Sequence, residues 1–172
     1  MLPEIITDPN VLDTIFAVRW RVLTEIGMPE EIYPNRIVRD PHDKFGTHLA
    51  LIDGDTIRAA ARTSIHQHAS QLPSPHYFAA ASKLLEPPIA SMNRLIVVPK
   101  FRSNGHARLL DEQRIAFARE HGCKSIVIYI HRFSGARRLT AVKELGFMPL
   151  YHGQLTKDPI WGGDGNALHM EI

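Results

Sequence analysis

The chain has 172 residues, is 44% hydrophobic, and carries 20 basic against 18 acidic side chains, for a formal net charge of +2. That length suits one core and a single domain over 1–172. So small a charge argues against a nucleic-acid partner, no apolar run reaches the length of a membrane span, and the single Cys123 excludes an internal disulfide and a cysteine-built zinc site. Met1-Leu2-Pro3-Glu4 lacks the basic start and long apolar stretch of a secretory leader, so a cytoplasmic protein is the expectation.

In chain order, Glu4 to Thr7 reads as a short strand. Asp8-Pro9 is a helix start, with an N-cap followed by proline at the first position. Val11, Leu12, Ile15, Phe16, Arg19, Val22, Leu23 and Ile26 then trace a helical face that Gly27 ends. Arg19, Trp20 and Arg21 interrupt this face and read as solvated arginines with stems on the surface. Residues 28 to 46 hold three prolines and form a loop of a length that is often functional. Asp40 and Asp43 in it read first as exposed turn formers, and second as a carboxylate pair able to orient an amine.

Thr47–Ile52 and Thr56–Ser64 are strands joined by the hairpin signal Asp53-Gly54-Asp55. Ala59-Ala60-Ala61 keeps the second strand slim. His66 and His68 share a face if they lie on a strand, but no third ligand has a recognisable spacing, so they read as surface histidines and no metal is expected. A helical patch, Tyr77–Leu85, is closed by Pro87-Pro88, and a central strand runs from Ala90 to Val98. Farther on, Ser125–Ile130 is an apolar strand and Ser134 caps a helix from Gly135 to Leu145. Phe147–Leu155 is a strand broken by Pro149, Pro159–Gly165 a turn-rich loop, and Asn166–Glu171 a closing strand.

The most informative segment lies between. The apolar run Leu95-Ile96-Val97-Val98 is stopped by Pro99. Lys100-Phe101-Arg102-Ser103-Asn104-Gly105-His106-Ala107 follows, and then a helix marked by Leu109, Leu110, Ile115, Ala116 and Phe117 and ended by Gly122. A basic, glycine-containing turn between a strand and a helix is an anion site. Unpaired N–H groups and the helix dipole face it, Gly105 lets a ligand approach the backbone, and Arg102 and Arg108 add charge-assisted hydrogen bonds. The natural guest is a diphosphate. No Gly-Lys-Ser/Thr is present for a nucleotide P-loop, and only one of the three glycines of a dinucleotide fingerprint.

What the segment resembles is the acyl-CoA-binding motif of the GNAT N-acyltransferases: Val97-x-Pro99, then Arg102-x-x-Gly105-x-Ala107, with Glu144-Leu145-Gly146-Phe147 resembling the second signature of that superfamily. The resemblance is motif-specific from Arg94 to Phe147, and in element order it covers most of the chain. It implies an α/β (α+β) fold with a mixed, mostly antiparallel sheet of six to seven strands flanked by about four helices. It also implies an enzyme that moves an acyl group, acetyl first of all, from acyl-CoA to a primary amine on a small molecule or peptide, without a metal. Backbone groups of Leu95, Ile96 and Val97 would meet the pantetheine arm, and Arg102, Ser103, Asn104, Gly105, His106 and Ala107 the diphosphate.

Arg21-Val22, Asp40-x-x-Asp43, Arg62 and Asn93-Arg94 look like the branch of acyl-homoserine-lactone synthases and long-chain N-acyl amino acid synthases. Ser91 stands in the place of that branch's glutamate. This likeness brings in a long-chain donor on CoA or on an acyl carrier protein. A non-catalytic acyl-CoA sensor and a homodimer are left open. Val142 occupies the position of the tyrosine that serves many acetyltransferases as general acid. Loss of that acid is tolerable, since a thiolate, with a pKa near 8.5, scarcely needs a proton. For a general base His131, with an ordinary pKa of about 6.5, is the first candidate and Tyr129 the second; a plain structural role is the alternative for His131.

Overall fold

The computed structural model describes residues 1–131, 134–150, 156–157 and 164–172. Its elements in chain order are β1 (Glu4–Ile6), α1 (Pro9–Glu25), β2 (Thr47–Asp53), β3 (Thr56–His66), β4 (Ile89–Val97), α2 (His106–Glu120), β5 (Ser125–His131), α3 (Gly135–Glu144), β6 (Met148–Pro149), β7 (Thr156–Lys157) and β8 (Asp164–Glu171). The sheet is mixed and mostly antiparallel, as the resemblance implies. The chain divides into two compact units: residues 1–64 with 93–114, and residues 65–92 with 115–172.

In the first unit the strand order is β1-β2-β3-β4. β1 and β2 pair antiparallel with Ile5 opposite Leu49, and β2 and β3 with Leu49 opposite Ala61. Strand alternation gives this sheet two unlike faces. Leu49, Leu51, Ala59 and Ala61 pack against Leu110 of α2, joined by Leu95, Val97 and Leu109. On the opposite face His48 and Arg62 stand opposite each other across β2 and β3, and His48 meets Phe16 of α1 edge-on at 5.6 Å. The start of α1 is as predicted: Asp8 accepts from the Asn10 amide at 2.8 Å, with Pro9 beginning the helix.

In the second unit β4 pairs with β5 in parallel, and β5 with β8 and β8 with β6 and β7 antiparallel. The β4–β5 ladder pairs Ile89–Met92 with Ser125–Ile128. Ala90, Met92, Ile126, Ile128 and Ile130 form one core with Ile115, Ala118 and Val142, while Ile89 and Val127 face another with Leu72, Tyr77, Phe78 and Leu85.

Several expectations need correction. The helical patch Tyr77–Leu85 is not α-helical: it holds a 3-10 helix, Ala79–Leu84, the last of a series that begins with Ala69–Gln71 and Pro75–Tyr77. Pro73 and Pro75 flank a left-handed Ser74, and Pro87 follows within a turn of the last. Ser134 precedes α3 without a capping hydrogen bond from its side chain. Phe147 is not part of a strand: its amide donates to Val142 O and closes the end of α3, its ring is buried, and β6 begins at Met148. Gly165 lies in β8, opposite His131. Residues 151–155 of the predicted strand and 159–163 of the predicted loop lie outside the described residues.

Gly46 has a purely spatial role. A Cβ there would lie 2.6 Å and 2.7 Å from the Cδ and Cγ of Arg62, a side chain with 1% exposure that has nowhere to move. Gly46→Ala is therefore expected to destabilise the protein by about 1–3 kcal/mol, read as a lower midpoint in urea with an unchanged slope.

Candidate functional site

The turn after β4 has the geometry that an anion needs. Pro99–Phe101 forms one 3-10 turn, with the Phe101 amide on Val98 O at 2.8 Å and the Arg102 amide on Pro99 O at 3.1 Å. The chain then passes through two left-handed residues, Ser103 (φ +65°) and Gly105 (φ +75°), and enters α2 at His106. A Cβ on Gly105 would meet nothing within 4 Å, so the turn is open on that side. The first amides of α2 have no intrahelical acceptors and point back into the turn. Arg102 lays its Nε on Val97 O at 3.3 Å and keeps its other nitrogens free, while Asn104 donates to Phe101 O at 3.3 Å. Lys100 and Arg58 both lie over the Phe101 ring, at 4.8 Å and 4.9 Å. Arg108 pairs with Glu112 at 2.8 Å. His106 turns inward: its ring is buried and neither nitrogen has a hydrogen-bond partner, so only its backbone can serve a ligand here. On β4, Ile96 is buried, and Leu95 and Val97 pack on the first unit's core with their side chains.

The second feature of this unit joins residues that the resemblance named together but that sequence reasoning left in solvent or unpartnered. Arg19, expected in solvent, is fully buried, and its Nη1 donates to both oxygens of Asp43 at 3.0 Å and to Val38 O at 3.1 Å. Arg21, quoted for the branch resemblance, is exposed, and of the two arginines only Arg19 enters the interior. Asp40 and Asp43 are not turn-forming aspartates in solvent but the centre of a charge cluster. Arg62 Nη1 donates to Asp40 Oδ1 and Asp43 Oδ1, each at 2.7 Å, and its Nε to Asn93 Oδ1 at 2.7 Å. Arg94 donates through Nε and Nη2 to Asp40 Oδ2 at 2.8 Å and 2.6 Å. Consecutive residues of a strand normally point to opposite faces. Arg94 breaks that alternation with a left-handed backbone, φ +55°, and so Asn93 and Arg94 both reach the same cluster. Two signals were legible: the resemblance that grouped Asp40, Asp43, Arg62, Asn93 and Arg94, and the pair Asp40-Pro41, which here begins a reciprocal capping box with Asp43.

The cluster is charged at neutral pH. Burial works against the carboxylate of Asp40, but Arg94 and Arg62 outweigh it and hold the group far below the usual carboxylate range. Burial likewise opposes Asp43, which Arg19 and Arg62 hold below its ordinary value. Burial pulls Arg19 down to about 10, still protonated at pH 7. Burial also lowers His48, which is therefore neutral there, its Nε2 3.0 Å from Asp43 O.

In the second unit Tyr129 and His131, two residues apart on β5, share a face and meet ring edge to ring face at 6.2 Å. Tyr77 stacks on Tyr129 at 3.7 Å with the planes 4° apart, and a Cβ at Gly165 would overlap the Tyr129 hydroxyl. Glycine at 165 and the Tyr77 ring thus fix the phenol in one orientation. His66, expected at the surface, is buried and pairs with Ser91 Oγ at 2.9 Å. Val142 is part of the core, so α3 offers no acid at that position. Among the described residues no group of three or more His, Cys, Asp or Glu is placed to hold a metal ion, and no helix is long and apolar enough to cross a membrane.

The sequence profile of the acetyltransferase (GNAT) family matches residues 12–147. A search of curated proteins finds no match. Among solved structures, an N-acyl amino acid synthase, FeeM, from uncultured soil microbes is 17% identical, with a TM-score of 0.74 over 99% of this chain and 90% of its own. A Bacillus subtilis acetyltransferase in complex with CoA is 13% identical, with a TM-score of 0.61 over 99% and 98%. NAA60 of Arabidopsis thaliana in complex with acetyl-CoA is 14% identical, with a TM-score of 0.65 over 99% and 97%. Identities this low speak for the fold.

The cluster predicts an acid limb in stability. Asp40 and Asp43 have folded pKa values below the unfolded value of about 3.9. The unfolded chain therefore binds more protons in acid, and stability is full above about pH 5 and lost as pH falls below about 4. Asp43→Asn should cost about 3–5 kcal/mol at pH 7 by leaving Arg19 and Arg62 buried and short of a partner. It should also flatten the acid limb of unfolding free energy against pH.

Proposed function

The chain belongs to the GNAT acetyltransferase family, and on that premise we propose that it transfers an acyl group, acetyl first of all, from acyl-CoA to a primary amine by direct attack. The observation that carries this reading is the open left-handed turn at Ser103–Gly105, set between β4 and the start of α2 and provided with the cations Lys100 and Arg102, neither of them ion-paired among the described residues. A diphosphate fits its amides and its charge. Leu95, Ile96 and Val97 offer their backbone to the pantetheine amides, as a neighbouring strand would.

The chemistry follows. The amine nitrogen attacks the thioester carbonyl carbon, a C–N bond forms, and the C–S bond breaks to release a thiolate. A backbone N–H of β4 holds the developing oxyanion. The amine must lose a proton, and His131 is assigned to take it, with Tyr129 beside it as the second acceptor. The acceptor is a small-molecule or peptide amine.

A second reading has a specific observation in its favour. Asp40, Asp43, Arg62 and Arg94, the positions that resemble the long-chain synthase branch, do form one connected cluster. On this reading the donor is a long-chain acyl group on CoA or on an acyl carrier protein.

Two measurements test these assignments. Acetyl-CoA and a long-chain acyl-CoA are each titrated calorimetrically against the wild type and Arg102→Glu. CoA-ester binding by the wild type, weakened about ten- to hundredfold in the variant, is expected, and no binding of any CoA ester overturns the donor. Release of thiol with a panel of primary amines is then followed. His131→Ala should lower kcat about 100-fold, and unchanged turnover removes His131 as the base.

A further inference from the structure

Two charged side chains of α2, Asp111 and Arg114, are fully buried beside Leu110, which α2 sends into the apolar core of the first unit. A buried ion pair three residues apart on one helix contributes little stability by itself, because desolvation offsets the attraction. Arg114 does more than pair with Asp111. Its Nε donates to Leu110 O at 3.3 Å, and its Nη1 donates to two strand carbonyls, Arg62 O of β3 at 3.2 Å and Asn93 O of β4 at 3.3 Å. A guanidinium Nη carries two N–H groups and can give one to each acceptor. From the helix layer, Arg114 therefore bridges the backbones of neighbouring strands.

The bridged point on β4 is where its alternation breaks. In a regular ladder a carbonyl lies near the plane of the sheet and meets the amide of the facing strand. Asn93 O meets a side chain that comes from the helix packed on the sheet. The next residue, Arg94, is left-handed, with φ +55°, a conformation that persists in a non-glycine residue only where the surroundings enforce it. The Asn93–Arg94 peptide is trans, the one cis bond among the described residues being Pro87–Pro88. In a trans peptide the N–H points opposite to the C=O. With Asn93 O drawn towards α2, the Arg94 N–H faces away from α2. That amide directly precedes Leu95–Val97, the residues assigned to the donor's arm.

We propose that Arg114 is a positioning residue for acyl transfer: by holding Asn93 O it turns the Arg94 amide towards the thioester carbonyl. The inference rests on the acyltransferase reading above. It gives the oxyanion donor of that reading a peptide, and names the side chain that sets it. As the C–N bond forms, negative charge grows on the carbonyl oxygen, and a donor fixed beforehand needs no reorganisation to meet it. Arg114 touches neither substrate and acts through the backbone. A lysine ammonium would serve as a cation for Asp111, whereas the planar fork of a guanidinium holds Leu110 O, Arg62 O, Asn93 O and the carboxylate in fixed directions together.

Two variants remove the clamp without stranding Asp111. Arg114→Lys keeps a cation beside it. Arg114→Met combined with Asp111→Leu replaces the pair by apolar side chains of similar volume, an exchange that cores commonly tolerate. Acetyl-CoA labelled with carbon-13 at the carbonyl is bound to the wild type and to each variant, and the carbonyl resonance is read. A hydrogen bond to the oxygen deshields this carbon. The wild type should therefore move the resonance downfield of free acetyl-CoA, and both variants should return it towards the free position. The position of a bound resonance does not depend on how much of the protein is folded. With an amine that the wild type accepts, kcat should fall about 10- to 100-fold in both variants, with KM for acetyl-CoA within about twofold of the wild type. A resonance at the free position in the bound wild type, one unmoved in the variants, or an unchanged kcat overturns the role of Arg114 and leaves the transferase reading standing. A wild type that neither binds a CoA ester in calorimetry nor acylates any amine overturns both.

Discussion

The first unit closes on one side chain, Arg62. Its guanidinium joins Asp40, Asp43 and Asn93, its stem crosses Gly46, and its carbonyl accepts from Arg114 at 3.2 Å. Contacts from the loop, the head of β2, β4 and α2 thus meet in a residue of β3. The net stabilisation from such a buried ionic arrangement is small, since desolvation offsets most of the attraction. Its effect is on geometry. Arg62 can be satisfied in one arrangement only, and that arrangement fixes where Asp40 stands and hence where Arg94 points.

Two kinds of order meet on β4. The turn at its end is made locally, by a proline, two left-handed residues and a helix start within a few positions of one another. The cluster at its middle is made by distant segments, and the left-handed Arg94 is the joint between them. With Leu95 and Val97 on the apolar face made by Leu49, Leu51, Ala59 and Ala61, a strand that kept its alternation could send only one of Asn93 and Arg94 to the cluster. The left-handed backbone at one residue therefore lets both face it.

This division also explains what could be read from the sequence. The α1 start, the hairpin at Asp53–Asp55, the Arg102–Ala107 turn and the end of α3 at Gly146 were legible because each depends on residues within one or two turns of chain. The partners of Arg62 lie 19, 22 and 31 positions away, and that of Arg94 lies 54 away. No local pattern carries such pairings. Arg19 and Arg21 illustrate the limit: both interrupt the same helix, and 200° of helical rotation, from two steps of about 100° each, puts one under the sheet and the other in water. The stack of Tyr77 on Tyr129 was hidden for the same reason, as was the space that Gly165 leaves for the phenol.

The loop between α1 and β2 is tied down unevenly. Its far end is held by the Val38 amide on Phe16 O, by Arg19 on Val38 O, and by Asp40 and Asp43. The stretch from Pro29 to Ile37 is held by its own short turns and by Arg36 lying over Trp20. Foldedness and loop sequence are thereby uncoupled: the anchor residues carry the architecture, and the arc before them is free to diverge. Rewriting that arc alone would leave the anchors and the sheet they hold intact, and grafts into it need match only at those anchors.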